Sequence, residues 1–347
     1  MKAEEKSVVR GVKPAWFSAL SQFEKPDVRK VTIQLVNTLL PYFALMTLMF
    51  LTIQWNLPYW VTLLIAVPAG AFLLRTFIFF HDCCHGSFVA SPTALKILGN
   101  ILGVIVLTPF ADWRHSHGIH HSTSGNLDKR GIGDVWTMTV DEYAASGWLS
   151  RALYRFYRFP AIMFLLGPVL SFVIRNRIPS GRPSGRRFWS VIVTDIALAA
   201  IIVAVGLTLG FKSYLMVQLP VLLFGGAAGI WLFYVQHQFD PSYWARTEEW
   251  QSMDAALRGS SYYKLPAVLQ WISASIGLHH VHHLKPRIPN YNLQRCVNAI
   301  PELQLPDPLT LGTSLRSVRY KVWDEKEKVL LSFGEMTRVL RQRLQTA

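Results

Sequence analysis

Four stretches of the chain are apolar almost without interruption. Val31–Trp55 carries no charged residue, Tyr59–Phe80 only Arg75, Phe188–Phe211 only Asp195, and Ser213–Gln236 none. About 20 apolar residues in helical conformation cross the hydrocarbon core of a bilayer. The pattern therefore predicts four transmembrane helices, over about 31–55, 59–80, 188–211 and 213–236. Asn56-Leu57-Pro58 joins the first two and Lys212 marks the junction of the second two, so they form two tight hairpins. Pro41 is expected to kink the first helix, and Arg75 to snorkel its head to water at the end of the second. Ile97–Ala111 and Phe159–Ile174 are apolar but short for a crossing and read as re-entrant or interfacial segments.

The polar parts divide the rest. Residues 1–30 carry mixed charge and read as a cytosolic arm, partly interfacial through Trp16, Phe17 and Phe23. Residues 31–300 form the membrane domain, including a cap of helices beyond residue 238. Residues 301–347 form a cytosolic helical tail, with Trp323–Leu344 expected as a solvated amphipathic helix.

Composition agrees with a membrane protein: 51% of residues are hydrophobic and only 16% charged. The formal net charge of +14 raises the question of nucleic acid. No nucleic-acid-binding motif is present, and the basic residues have a topological explanation. The links within the two hairpins hold zero and one Lys/Arg, whereas the segment between the hairpins and both tails hold the rest, including Arg175, Arg177, Arg182, Arg186 and Arg187. The positive-inside rule then puts both tails and the central segment in the cytosol. Cys83, Cys84 and Cys296 make no disulfide framework and read as packing residues in a reducing compartment. No secretory signal is visible at the start.

Eleven histidines add the chemistry. Ten fall in or beside three clusters: His81 and His85; His115, His117, His120 and His121; His279, His280, His282 and His283. His237 follows the fourth apolar stretch. Residues three and four apart share a helix face, so each cluster can aim two or three imidazoles at a common point. The topology puts all of them on the cytosolic side. His81, His85, His117, His120, His121, His279, His282 and His283 are the candidate ligands, and His237 would make nine. Nine ligands exceed one ion and suit two. Histidine-rich coordination without thiolate suits iron that meets oxygen. A dizinc hydrolase is the weaker alternative, since no HExxH pattern accompanies the clusters. A metal transporter is a third class, opposed by the lack of charged residues in the first and fourth spans.

The boxes His81-Asp82-Cys83-Cys84-His85, His117-Gly118-Ile119-His120-His121 and His279-His280-Val281-His282-His283 resemble those of the membrane-bound fatty acid desaturases. The flanks are similar too: Trp113-Arg114-His115-Ser116 before the second box, Ser122-Thr123-Ser124-Gly125-Asn126-Leu127 after it, and Ile288-Pro289-Asn290-Tyr291-Asn292-Leu293 after the third. They look most like the Δ12/ω-6 acyl-lipid group. The likeness runs from about residue 60 to 300.

The resemblance implies an all-α integral membrane protein of two helical hairpins, interfacial helices and a cytosolic helical cap carrying a di-metal site. It implies two iron ions and O2 as co-substrate, and insertion of a double bond into an acyl lipid or acyl thioester. It implies a bacterial inner membrane with the active site on the cytosolic face. It makes His237 a ligand and excludes His115 and His280. A hydroxylase or ketolase on the same scaffold stays open, because both outcomes can share the first hydrogen abstraction. Asp82, Asn126, Asp128, Asp134 and Asn292 are candidates to orient imidazoles, or else helix caps and solvated loops. Trp113, Trp136 and Tyr291 are candidates to line the acyl entrance, or else interface anchors. No haem or iron–sulfur motif lies in these residues, so electrons are expected from a separate ferredoxin or cytochrome b5-type donor. The basic cytosolic face, with Lys285 and Arg287, could dock an acidic donor.

Overall fold

The computed structural model describes residues 14–183 and 185–345, so the start of the expected arm lies outside the described residues. A 3₁₀ turn at Ala15–Phe23 leads to helix α1, Val28–Gln54. Asp27 caps α1 by accepting the Lys30 amide at 3.1 Å. Helix α2, Tyr59–His85, runs back beside α1, and the hairpin is pinned by a 2.7 Å bond between Thr52 and Thr62. Gly86, at φ 74°, ends α2 in the left-handed conformation that favours glycine.

Helices α3, Pro92–Ile105, and α4, Phe110–Thr123, meet at a bend of 96°. Short helices α5, Val140–Ala145, and α6, Trp148–Tyr157, follow. α6 bends by 65° into the apolar segment Ile162–Arg177, which is largely π-helical. Helix α7, Arg186–Val205, passes through a π-turn at Gly206–Gly210 into α8, Phe211–His237. Short helices complete the cap: α9, Ser252–Leu257; α10, Ala267–Ile272; α11, His279–Leu284; α12, Asn290–Ala299; and α13, Leu311–Ser314. Helix α14, Phe333–Gln345, closes the described chain.

Among the described residues, three helical segments are long and apolar enough to cross a membrane, or up to five if each bent pair counts as one span. The longest, Arg186–His237, does not run straight. Ser190 accepts a bond from the Ala111 amide at 2.9 Å, while His237 lies 3.1 Å from His120. Ala111 and His120 sit about 14 Å apart on α4, whereas a straight helix from 190 to 237 would be about 70 Å long. The chain must therefore reverse between α7 and α8. Gly210, at φ 92°, supplies the conformation for that reversal.

Helices α2 and α8 form the axis of the molecule and run side by side. Tyr59 donates to the Met216 carbonyl at one end, and the histidines meet at the other. The two backbones touch where Gly70 crosses Gly225: a Cβ on Gly225 would stand 2.7 Å from the Gly70 carbonyl oxygen. Large side chains stay exposed around the outside, among them Leu40, Phe43, Trp60, Leu64, Ile196, Leu207 and Leu215. Such a broad apolar surface is what bilayer lipid would cover.

Three expectations change. Arg75 does not snorkel: it is 2% exposed, its Nε donates to Thr38 at 2.9 Å, its guanidinium bonds the Trp271 carbonyl, and it stacks over the Trp271 ring. The protein is mostly helical but not all-α. Strand β1, Met138–Thr139, pairs in parallel with β2, Val322–Asp324, and β2 pairs antiparallel with β3, Val329–Leu331. The 323–344 segment is thus not one solvated helix, and Trp323 is fully buried. β-branched and aromatic residues at 322–323 and 329 favour the strands. Asp324 closes the turn by accepting the Lys326 amide at 3.0 Å and ties α14 down through Arg343.

Candidate metal centre

The histidines converge at the ends of α2 and α8, roofed by α4 and α11. They form two groups, each with ligand-capable nitrogens within 4.8 Å of one another: His81, His85, His117, His121 and His282; and His120, His237, His279 and His283. The clusters do not each aim at one point as spacing alone suggested. On α4, His117 and His121 are i, i+4 and face the first group, while His120 turns to the second. On α11, His279 and His283 are i, i+4 and face the second group, while His282 turns to the first. Residues at i+3 and i+4 stand about 100° apart around a helix axis, so one helix feeds two foci.

The donor set fits a pair of cations. Nε2 atoms approach to 3.0 Å for His117–His121, and to 3.1 Å for His121–His282, His120–His237 and His237–His279. Two nitrogens bound to one ion at about 2.1 Å and at right angles lie about 3.0 Å apart. Hydrogen bonds set the tautomers. His120 Nδ1 donates to Asp134 at 2.6 Å, and His237 Nδ1 donates to the Gly259 carbonyl at 3.3 Å. Their two Nε2 lone pairs then face each other, which is repulsive without a cation between them. The buried Nε2 atoms of His85 and His283 have no hydrogen-bond partner. Burial, then neighbouring imidazoles, holds His279, His282 and His283 well below the usual histidine range. They are neutral near pH 7, as metal ligation requires.

Each group has one imidazole oriented by a carboxylate. In the first, Asp82 lies 3.3 Å from His81 Nδ1 and is itself held by the Asn290 amide and side chain at 2.8 and 2.9 Å. In the second, Asp134 holds His120. Asn126, Asp128 and Asn292 do not orient imidazoles: Asn126 and Asp128 bond Thr247, Asp128 also bonds Arg246, and Asn292 holds Lys30 and the Phe23 carbonyl. His115 is exposed and outside both groups. His280 is buried but points away, bonding the Leu303 carbonyl at 2.9 Å.

A cavity of about 260 Å³ leads from the interior to the histidines. Leu73, Leu74, Phe77 and Ile78 of α2 line one side, and Leu222, Gly225, Gly226, Gly229 and Phe233 of α8 the other. It ends on His81 and His117 of the first group and His279 of the second. Trp113 lines it and stacks on His117 with ring centroids 4.3 Å apart. Trp136 and Tyr291 do not line it: Trp136 packs on Tyr154, and Tyr291 packs beside Phe88 while accepting the Asp27 amide.

A family model described as fatty acid desaturase matches residues 55–312, well over half of the chain. The chain belongs to the fatty acid desaturase family. It is 44% identical to a fatty acid desaturase of Bacillus subtilis (strain 168) over 314 residues, covering 90% of this chain and 89% of that one. Two proteins of Synechocystis sp. are more distant. A ferredoxin-dependent sn-1 acyl-lipid omega-3 desaturase is 29% identical, covering 67% of this chain and 65% of its own length. An sn-1 oleoyl-lipid 12-desaturase is 26% identical, covering 71% and 70%. This desaturase is therefore a membrane oxidoreductase that inserts a double bond into a fatty acyl chain, and the hydrolase, transporter and hydroxylase readings are not favoured.

Sequence reasoning missed several parts of the site. The Gly259 carbonyl that orients His237 has no sequence signal, because any residue carries a carbonyl. The cavity wall had one: Gly225-Gly226-Ala227-Ala228-Gly229 is a run of small residues in an apolar helix, a known mark of close helix packing. Arg158, fully buried, also had no assigned role. It donates to Gln238, Tyr234 and the carbonyls of Trp136 and Tyr320, and so ties the end of α8 to the strand layer.

Proposed function

We propose that the nine histidines ligate two iron ions, five on the first and four on the second, and that the acyl substrate lies in the cavity between α2 and α8. The bound iron pair would supply the O2-dependent oxidising chemistry that an unactivated C–H bond demands. The single observation that carries this reading is the apolar cavity ending on both histidine groups at once. A methylene chain has no polar handle, so position comes from shape, and the cavity walls provide it. Asp82, Asp134 and the Gly259 carbonyl hold imidazole tautomers so that lone pairs face inward. Phe77 and Phe233, each one turn before a histidine of the centre, keep water from the reacting carbons.

The same reading takes an acyl lipid as substrate and a separate ferredoxin-type protein as electron donor, supported by the printed names of the Synechocystis relatives. It places the histidines at the cytosolic face of four crossing helices, α1, α2, α7 and α8. The reversal at Gly210 and the sparse Lys/Arg within the hairpin links support this topology.

Expression in a host without polyunsaturated lipids tests the reading. Double bonds located by mass spectrometry, together with about two irons per chain, are the expected result. His120→Ala is expected to lose activity and bound iron together. Hydroxylated products with no new double bond would overturn the reaction class, and full activity in His120→Ala would overturn the shared centre.

A further inference from the structure

Four glycines line the cavity, and three of them are dictated by packing. A Cβ on Gly225 would stand 2.7 Å from the Gly70 carbonyl, one on Gly226 2.6 Å from the Pro168 side chain, and one on Gly133 3.0 Å from the His120 side chain. Gly229 differs. Its Cβ would meet only the Leu74 side-chain end, at an ordinary 3.6 Å. It also has helical φ, so no backbone conformation requires glycine there. No packing contact at Gly229 excludes a Cβ, so close helix approach does not explain a glycine there. What its missing side chain leaves behind is open cavity, opposite Leu74.

We propose that Gly229 is the specificity-determining position that lets long acyl tails pass along the cavity. Gly229 lies on the cavity stripe of α8 between Gly226 and Phe233, eight residues before His237. Eight helical residues rise about 12 Å. The cavity continues past this point to Leu222, another seven residues toward the interior. Beyond Gly229 the lining is Leu73, which packs against Gly225, and Leu222, whereas Ser116 and Gln236, chain neighbours of His117 and His237, lie at the histidine end, so the methyl end of the chain points inward. Staggered C–C bonds of about 1.5 Å advance about 1.3 Å each, so about nine methylenes span the helical rise between the histidine end at His237 and Gly229, which sets the scale of the tail that reaches the glycine. Tails longer than this must pass the glycine. A valine there adds branched bulk opposite Leu74 and closes the passage without touching the Gly70–Gly225 crossing.

This inference rests on the cavity being the acyl site, and the experiment separates the two. The full-length membrane enzyme is expressed with acyl chains of several lengths present, products are located by mass spectrometry, and iron per chain is measured. Gly229→Val is expected to lose products whose tail beyond the new double bond exceeds about nine methylenes by about tenfold or more, the scale of overpacking a closed space. Shorter-tailed products and iron content are expected to hold, and Gly229→Ala to fall between. Ser116→Phe, which fills the cavity beside His117, is expected to suppress products of every length with iron retained. If Ser116→Phe suppresses all products but Gly229→Val leaves the tail distribution of the wild type, the role of Gly229 is overturned and the cavity reading stands. If neither variant affects any product while both keep iron, the cavity reading itself is overturned. Wild-type products confined to tails shorter than about nine methylenes would also overturn the role of Gly229.

Discussion

Replacing Asp134 separates the two histidine groups experimentally. Its carboxylate accepts His120 Nδ1 at 2.6 Å and is in turn held by the Gly131 amide at 3.1 Å. This charge-assisted bond fixes one tautomer and one ring orientation in the group of His120, His237, His279 and His283. The other group contains none of Asp134's partners, and its own carboxylate is Asp82. Loss of such an orienting partner lowers metal affinity by about 10- to 100-fold, or about 1.4–2.7 kcal/mol. An asparagine side chain keeps an acceptor oxygen without the charge, so Asp134→Asn should sit near the low end and Asp134→Ala near the high end. The assay is a competing-chelator titration of purified enzyme, with iron per chain read at each step. If the two groups hold the iron pair proposed above, the wild type is expected to release two ions over one range. The variants are expected to release one ion at about 10- to 100-fold lower chelator and the second as the wild type does. Equal weakening of both ions, or no weakening of either in Asp134→Ala, would refute the assignment of Asp134 to one group.

Further outcomes follow from the same geometry. Gly225→Val drives a side chain into the Gly70 backbone and should lower detergent thermal stability by at least the about 1–3 kcal/mol typical of overpacking, since rigid backbone cannot yield. His115→Ala should retain full iron and activity, because its ring is exposed and outside both groups, whereas His282→Ala should lose both; elemental analysis beside product analysis checks this. Lys321 is pushed down to about 8 by burial and then by Arg158. Its folded value lies below its unfolded one, so the unfolded chain binds the extra proton between them. Stability should therefore rise as pH climbs from about 8 toward the ordinary lysine range near 10.4, and Lys321→Met should flatten that slope in denaturation measured across this window.

The expected spans and the observed helices differ at their ends for a physical reason. The apolar pattern of the second span stops at Phe80, but α2 continues to His85, because the histidine box extends the same helix past the apolar run. The reversal between α7 and α8 was legible in Lys212, the one charge between two apolar runs. The strand layer was not. Its strands are two and three residues long, and the pairing of Met138 with Val322 spans most of the chain. Arg75 was misjudged because burial depends on Trp271 and Thr38 arriving from elsewhere, which local hydropathy cannot register.

The sequence by itself determined the apolar helices, the nine histidines and their spacing, because these depend on composition and on the fixed period of one helix. The resemblance of the boxes to a known family set His115 and His280 apart from the other nine, and both lie outside the two groups. Tertiary structure alone decided how the histidines divide. A helical period states which residues share a face, but not what that face meets. Only the packing of α2, α4, α8 and α11 around one end of the molecule sends His120 and His121, neighbours in the chain, to different groups. It likewise selects Asp82 and Asp134 from five similar polar residues and leaves an apolar cavity between two apolar helices, where the small residues at 225–229 signal close packing but not a cavity. Those outcomes depend on distances between elements far apart in sequence, which no local pattern encodes.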